Sequence, residues 1–177
     1  MRNRVICVVM AGGEGRRFGN PEKFMEKVCG EPILSRLVKQ LERLCVHIVL
    51  ALSHRTEEVC SAFGDELAIS CVELPGRDYV EDLGMVVRAL PKPLLVAAAD
   101  LVISYESLLG FVEIALELRT NIVTAEAVGD GSPSLLGLSL FHEERGEWVN
   151  VLLDGRSAVD VDERDDLERA ERVCRQL

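Results

Sequence analysis

Aromatic residues and basic residues are both scarce in this sequence of 177 residues. Only 5% of the residues are aromatic, so a core must be built from Val, Leu, Ala and Ile, within a hydrophobic content of 48%. Lysine and arginine number 20 against 30 acidic residues, which gives a net charge of −10. A nucleic-acid surface needs clustered basic residues, so this charge argues against a nucleic-acid partner.

Long apolar runs are also missing. No run approaches the roughly 20 residues that are needed to cross a bilayer. Residues 1–4 lead into a strand-like run without the pattern of a signal peptide. We therefore expect a cytoplasmic protein with no membrane span.

Closely spaced cysteine pairs are absent as well. The six cysteines are Cys7, Cys29, Cys45, Cys60, Cys71 and Cys174. Their spacing does not resemble that of a zinc site. Three of them fall within or beside apolar runs, where a thiol behaves as a small hydrophobic group. We expect buried or inert thiols, and no metal role for the three scattered histidines.

Short β-branched runs alternate with stretches in which apolar residues recur every three to four positions. Predicted strands cover residues 5–10, 47–52, 68–74, 94–99, 122–128, 134–141 and 148–153, and predicted helices cover 34–44, 80–90, 108–116 and 163–176. The first five strands lack strict alternation, which is typical of a sheet that helices cover on both faces. The pattern predicts a single-domain, Rossmann-like α/β fold over residues 1–177. It should be a three-layer sandwich with a mostly parallel central sheet.

Glycine is concentrated in one loop, which directly follows the first predicted strand. Residues 11–19 read AGGEGRRFG, and Lys23 comes soon after. Glycine lets the backbone come close to a ligand, and successive N–H groups can form an anion-binding concavity. Nearby arginine and lysine side chains add cationic donors. The loop predicts a phosphate site formed by Ala11, Gly12, Gly13, Gly15, Arg16, Arg17 and Lys23. The alternative is a solvated turn whose arginines only keep it soluble.

Two familiar phosphate-binding loops do not match this one. A P-loop requires Gly-Lys-Ser/Thr after its four variable residues, and the sequence contains no such triplet. A dinucleotide fingerprint would place its third glycine at position 18, which is Phe18. It would also need an acidic residue near positions 35–40, where the sequence is SRLVKQ. A different kind of nucleotide site is therefore predicted.

An acidic residue ends the fourth predicted strand. Residues 94–99 are apolar, and Asp100 follows them. In a parallel sheet Asp100 would emerge at the same edge as the glycine-rich loop, where a carboxylate can bind Mg²⁺ beside substrate phosphates. The alternative is an N-cap for a following turn. Further along, Asp78 and Glu81 match a capping pair at the start of a helix, which leaves Asp82 without a role.

The glycine-rich loop with Arg17 and Lys23 resembles the signature of the NTP-transferase superfamily. That superfamily includes sugar-phosphate nucleotidylyltransferases and molybdenum-cofactor guanylyltransferases. Arg16 stands where the signature usually has threonine. Three further segments, residues 78–83, 99–101 and 159–167, resemble the archaeal adenosylcobinamide-phosphate guanylyltransferases. Residues 129–148 show no clear match.

The resemblance implies an enzyme that moves GMP from GTP to a phosphorylated acceptor and releases pyrophosphate. It implies that Lys23, Arg17 and Asp100 are catalytic, that Asp100 and Asp162 bind Mg²⁺, and that Glu81 and Asp82 join the nucleotide site. Asp162 could instead cap the last helix together with Asp165. The family tends to have Asn-x-Asn where this sequence has Asp160-Val161-Asp162.

The acceptor that the resemblance implies is adenosylcobinamide phosphate. Molybdenum-cofactor enzymes typically follow the metal-binding aspartate with x-Pro, but here Asp100 is followed by Leu101, Val102 and Ile103. These three residues could cover an acceptor or belong to the core. The alternatives are a molybdopterin or sugar-phosphate acceptor, or a nucleotide-sensing module without catalysis. The residues leave the oligomeric state open, with a homodimer as one option.

Overall fold

Seven strands form one central sheet in the computed structural model of this chain, which describes residues 5–63, 68–129 and 133–175. Two pairs of short strands, four α-helices and two 3-10 helices complete the set of described elements. The 3-10 helices are Lys23–Met25 and Glu57–Phe63. In chain order the strands and α-helices are β1 (Val5–Met10), β2 (Lys27–Val28), β3 (Glu31–Pro32), α1 (Ile33–Leu41), β4 (Cys45–Leu52), β5 (Ile69–Glu73), α2 (Tyr79–Ala89), β6 (Leu94–Ala98), β7 (Leu101–Ile103), α3 (Tyr105–Glu117), β8 (Ile122–Val128), β9 (Ser134–Phe141), β10 (Trp148–Asp154), β11 (Ala158–Asp160) and α4 (Asp166–Arg175).

The strands of the central sheet are ordered β10-β8-β9-β6-β1-β4-β5. Neighbours are parallel except where β9 is involved, because β9 runs antiparallel to both β6 and β8. In β1, Met10 lies opposite Ala51 of β4 and Ala98 of β6. The carboxyl ends of these three strands therefore meet at one edge of the sheet. The predicted mostly parallel α/β sheet is confirmed.

Helices pack on both faces of the sheet. On one face, Leu37 of α1 and Phe111 of α3 share a buried cluster with Val9 of β1. On the other face, Val86 of α2 packs with Val8 of β1. The described residues thus form a single α/β domain with three layers. None of their helices combines the length and the apolar character that a bilayer-spanning segment would need.

The predicted elements are present, and their ends follow local hydrogen bonds. Helix α2 begins after Asp78, whose carboxylate accepts hydrogen bonds from the N–H groups of Val80 (2.8 Å) and Glu81 (3.0 Å). The Asp78 part of the predicted cap is therefore confirmed. Helix α4 begins at Asp166 rather than at residue 163. Residues 1–4 and 176, which also entered the predictions, lie outside the described residues.

The prediction of six unpaired thiols is wrong. The structure pairs Cys7 with Cys45, Cys29 with Cys174, and Cys60 with Cys71 as disulfides. The partners lie 38, 145 and 11 residues apart in sequence, so only the fold brings them together. Outside hyperthermophiles, disulfides are rare in cytosolic proteins, so this pairing does not support the predicted cytoplasmic location.

Candidate active site

The glycine-rich loop, residues 11–19, leaves the carboxyl end of β1 at the sheet edge. Gly15 has a φ of 59°, and its carbonyl accepts a hydrogen bond from the N–H of Gly19 (2.8 Å). A Cβ atom at Gly12 would come within 3.3 Å of the backbone that ends β4. Glycine at these positions lets the loop turn tightly while it packs against the neighbouring strand.

Beside this loop, charged groups from distant parts of the sequence come together. The Lys23 ammonium forms ion pairs with Asp100 Oδ2 and with Asp162 Oδ1, the latter at 3.0 Å. The Arg17 guanidinium lies 2.9 Å from the same oxygen of Asp162. The side chains of Lys23 and Asp100 are only 14% and 13% exposed, whereas Arg17 is 67% exposed. The result is a half-buried cluster of two cations and two carboxylates, formed by Lys23, Asp100, Asp162 and Arg17.

The capping roles that the sequence left open do not account for these carboxylates. Asp166, not Asp162, accepts the hydrogen bonds at the start of α4, from the N–H groups of Asp162 (3.0 Å) and Glu163 (2.9 Å). Asp100 is followed by strand β7 rather than by a helix. Both Asp100 and Asp162 instead direct their side chains to Lys23. Neither Asp100 nor Asp162 therefore acts as a helix cap.

Burial and pairing have opposing effects on the charges of this cluster. Burial lowers the pKa of Lys23, but the nearby carboxylates of Asp100 and Asp162 outweigh this effect and raise the pKa above its ordinary value. Burial raises the pKa of Asp100, and the attraction of Lys23 offsets only part of that rise. Lys23 therefore stays charged near neutral pH and can offer its charge to a bound anion.

A third carboxylate, that of Asp160, borders the cluster. Its Oδ2 atom accepts a hydrogen bond from the N–H of Gly137 (2.7 Å), while its Oδ1 atom is buried with no hydrogen-bond partner among the described residues. Burial, and then the negative charge of Asp100, raise the pKa of Asp160 to about 7. Partial burial of the phenol, and then the negative charges of Asp100 and Asp160, raise the pKa of Tyr79 to about 12, although the residue as a whole is 50% exposed. Tyr79 therefore remains a hydrogen-bond donor near neutral pH.

We expect Asp160→Asn to weaken the pH dependence of stability. The folded-state pKa of Asp160 is about 7, above an unfolded value of about 4. The folded protein keeps this proton while the unfolded chain loses it, so the wild-type protein loses stability as the pH rises from about 4 to 7. One pKa unit corresponds to at most about 1.4 kcal/mol.

Urea unfolding at pH 5 and pH 8 measures this effect. The wild-type protein should lose up to about 2 kcal/mol more free energy of unfolding than the variant between these two pH values. The asparagine oxygen can still accept the hydrogen bond from Gly137, so the local contact is preserved. Equal pH dependence in the two proteins would show that Asp160 does not hold a proton in the folded state.

A cavity of about 490 Å³ connects the glycine-rich loop with the charged cluster. Its lining includes the predicted residues Ala11, Gly12, Gly13, Gly15, Arg16, Arg17, Lys23, Asp82, Asp100 and Asp162. Glu81 was also predicted to join this site, but it is exposed at the start of α2 and does not belong to that lining. The phosphate-binding candidates and the carboxylates Asp100 and Asp162 thus line the same cavity.

Beside the glycine-rich loop, the lining of the cavity also includes Gly76, which the sequence did not single out. Gly76 has a φ of 65°, and its N–H donates to the buried carboxylate of Asp82 (3.1 Å). Arg55 donates to the carbonyl of Gly76 (3.1 Å) and lies 3.5 Å from Glu14 in the glycine-rich loop. Asp82 therefore orders the Gly76 turn. Arg55 joins this turn to the glycine-rich loop. The Pro75-Gly76 pair was the available sequence signal for a turn at this position.

The chemistry of the two paired carboxylates fits a magnesium ion. Asp100 and Asp162 already face one cation, the ammonium of Lys23. Mg²⁺ usually binds through one or two carboxylates together with substrate phosphates, not in a cage made only of protein groups. Across residues 5–63, 68–129 and 133–175, no group of three or more His, Cys, Asp or Glu side chains is arranged to hold a metal ion. Two carboxylates beside a predicted phosphate site suit magnesium better than a metal that needs a complete protein shell.

Comparison with known proteins finds similarity along most of the chain. A family model described as a MobA-like NTP transferase domain matches residues 7–165. The adenosylcobinamide-phosphate guanylyltransferase of Methanocaldococcus jannaschii is 34% identical over 101 residues, which cover 54% of this chain and 52% of that protein. The probable molybdenum cofactor guanylyltransferase of Pyrococcus horikoshii is 32% identical over 73 residues, which cover 40% and 38%. The chain thus spans about half or less of the length of these two relatives.

A solved structure is similar over almost the whole chain. It is that of a candidate glucose-1-phosphate thymidylyltransferase from Bacillus anthracis in complex with sucrose, with a TM-score of 0.80. The match covers 98% of this chain and 96% of that chain, at 14% sequence identity. At this identity the likeness concerns the fold alone.

Proposed function

This chain belongs to the MobA-like NTP transferase family, and on that basis we propose that it transfers GMP from GTP to adenosylcobinamide phosphate with release of pyrophosphate. One observation carries the proposal. Lys23, Asp100 and Asp162 converge beside the glycine-rich loop, in the cavity that this loop lines. A cation and two carboxylates next to a phosphate site are the groups that nucleotidyl transfer requires.

In the proposed reaction GTP lies along the 490 Å³ cavity. The N–H groups of Gly12 and Gly13 and the guanidinium of Arg17 bind its phosphates. A phosphate oxygen of the acceptor forms a bond to the α-phosphorus, and the bond between that phosphorus and the pyrophosphate oxygen breaks. Lys23 neutralises the negative charge that develops at the transferred phosphate. Asp100 and Asp162 would hold Mg²⁺, which would supply further charge neutralisation.

The choice of acceptor rests on the sequence similarity. The match to the adenosylcobinamide-phosphate enzyme covers 101 residues, and the match to the molybdenum-cofactor enzyme covers 73. The residue two positions after Asp100 is Val102, where molybdenum-cofactor enzymes typically have proline. Leu101, Val102 and Ile103 are each 1% exposed, so they belong to the core. The alternative in which these residues cover the acceptor is wrong.

An assay of pyrophosphate release tests the proposed function. We expect release with GTP and adenosylcobinamide phosphate, and little with ATP, CTP or UTP. Molybdopterin and a sugar 1-phosphate should be poor acceptors. A preference for either of these would contradict the cobinamide proposal but would keep the nucleotidyltransferase assignment. Nucleotide binding without release for any acceptor would favour a sensing module instead.

A further inference from the structure

Two segments that are distant in sequence pack together beside the charged cluster. The first, residues 23–32, contains Lys23, the short strands β2 and β3 and the turn between them. The second, residues 158–175, contains β11, Asp162 and α4. Val28 of the first segment and Val173 of the second belong to one buried apolar cluster. The ion pair between Lys23 and Asp162 also joins the two segments, so a change in their packing acts on this pair.

A disulfide joins the same two segments. Cys29 lies in the turn between β2 and β3, and Cys174 lies near the carboxyl end of α4. The N–H of Cys29 also donates to Glu171 Oε1 at 2.8 Å. Because the link between the two cysteines is covalent, it limits how far the turn and α4 can separate in the folded protein.

The backbone conformation of Cys29 is unusual. Its φ is 50°, and across residues 5–63, 68–129 and 133–175 no other residue except glycine has a positive φ. Gly30 follows with a φ of 80°. Two-residue hairpin turns with positive φ at both positions favour Asn, Asp or Gly. Turn formation therefore does not account for a cysteine at position 29, and residues held in such conformations cluster at functional positions.

Exposure distinguishes the three disulfides. The disulfide between β1 and β4 is buried, since its cysteines are 0% and 6% exposed. In the second pair Cys29 is exposed, whereas Cys174 is 6% exposed. In the third pair Cys71 is exposed, but its disulfide with Cys60 joins β5 to the preceding 3-10 helix, away from the cavity lining. A reductant in solution can therefore reach two disulfides, of which one joins the segments that carry Lys23 and Asp162.

We propose that the Cys29–Cys174 disulfide is a redox-dependent brace that positions Asp162 beside Lys23. The inference rests on the proposed function, in which Asp162 belongs to the catalytic cluster. A thiolate of a dithiol reductant attacks the exposed sulfur of Cys29, and the sulfur of Cys174 leaves as a thiolate and takes up a proton. The second thiol of the reductant then displaces Cys29. Two electrons and two protons thus pass to the protein, and the reductant becomes a disulfide.

The reduced protein keeps the apolar contacts between the two segments. A free thiol at Cys174 behaves as a small hydrophobic group inside the apolar cluster. The hydrogen bond between Cys29 and Glu171 does not require the disulfide. Reduction therefore loosens the brace without unfolding the domain. Asp162 is then held less closely to Lys23, and turnover should fall about tenfold, within the range that a small misplacement of catalytic groups costs.

A variant restricts reduction to the brace. Cys71→Ser removes the other accessible disulfide, so brief treatment with dithiothreitol should reduce Cys29–Cys174 alone, which alkylation and mass spectrometry verify. Pyrophosphate release should fall about tenfold and recover on reoxidation. Amide hydrogen exchange in residues 158–175 should become faster, while exchange in β1 and β6 should not change. Faster exchange with unchanged turnover would overturn the positioning of Asp162.

Cys29→Asn removes the brace without disturbing the turn, because asparagine adopts a positive φ readily. This variant should have the lower turnover from the start, and dithiothreitol should not lower it further. Untreated Cys71→Ser is the matched control, because it also lacks one accessible disulfide, and it should behave like the wild-type protein. Equal turnover in Cys29→Asn and untreated Cys71→Ser would refute the proposal.

Amide exchange separates this inference from the proposed function. If no form of the protein releases pyrophosphate with any acceptor, the proposed transfer fails, and exchange alone then decides about the brace. Faster exchange in residues 158–175 after reduction would still support it. Unchanged exchange, or the recovery of Cys29 and Cys174 as free thiols from protein purified without reductant, would exclude the brace at any turnover.

Discussion

Asp100→Asn should lower turnover by roughly a hundredfold to a thousandfold, the cost of removing a group that stabilises charge in the transition state. The carboxylate of Asp100 is 13% exposed and pairs with Lys23 inside the cavity. Asparagine keeps the shape of the aspartate side chain but removes the negative charge that would hold Mg²⁺ and position Lys23. Pyrophosphate release under saturating GTP measures the effect. Circular dichroism and a thermal melt establish that the variant is folded.

Asp154→Asn is the matched control for that experiment. Asp154 is also an ionised carboxylate paired with a cation, since its hydrogen bonds with Arg156 lower its pKa to about 2. It lies on the end of β10 and outside the lining of the cavity that includes the cluster. Its replacement should leave turnover unchanged. Near-normal turnover in folded Asp100→Asn would remove Asp100 from the catalytic site.

Lys23→Met should lower turnover by roughly a hundredfold, because it removes the cation proposed to neutralise the transferred phosphate. It should also destabilise the protein, since the largely buried carboxylate of Asp100 would lose its partner. For a pair that is largely but not completely buried, this cost is about 1–3 kcal/mol, below the value for a fully buried pair. Methionine retains the apolar stem of the lysine, so packing is preserved.

The loss of stability should depend on pH in a defined direction. Burial already raises the pKa of Asp100, and removal of Lys23 takes away the main attraction that opposes this rise. The unpaired carboxylate can be relieved by protonation, so Lys23→Met should be less destabilised at pH 5 than at pH 8. Lys39→Met is the control, because Lys39 forms an ion pair with Glu31 but is 70% exposed. A turnover for Lys23→Met equal to that of Lys39→Met would exclude a catalytic role.

The ion pairs within the cluster hold its four side chains in place. Lys23 contacts both carboxylates, so it holds Asp100 and Asp162 near each other. Arg17 reaches Asp162 from the exposed side. We propose that Lys23 and Arg17 would contact the phosphates of a bound nucleotide in place of these ion pairs. Asp100 and Asp162 would then contact its metal. Such an arrangement keeps the charges balanced, which limits the cost of leaving a half-buried carboxylate alone.

Much of the fold and part of the candidate site could be predicted from local sequence patterns. Apolar runs without alternation predicted β1 and β6, because strands of a sheet covered on both faces exclude polar side chains. The glycines of residues 11–19 directly follow β1, and Asp100 follows the short turn after β6. Once these strands are parallel neighbours, both features must reach one edge of the sheet. This placement needed no knowledge of side-chain contacts.

Other features were beyond sequence patterns, because they depend on which distant segments become neighbours. Strand β9 looks like its neighbours in sequence, but it pairs antiparallel with both β6 and β8. Asp162 matched a helix cap as well as a metal ligand. The start of α4 at Asp166 decides against the cap. The contacts of Asp82 with Gly76 likewise exist only because the turn before α2 folds back on that helix.

The sequence by itself determined the α/β class, the position of the glycine-rich loop after β1 and the acidic residue in the turn after β6, because each depends on residues close together in the chain. Only the tertiary structure decided the three disulfides and the pairing of Lys23 with Asp162 across 139 residues. Local patterns reflect backbone geometry and burial. Pairing and exposure depend on the packing of the whole chain, which no short segment encodes.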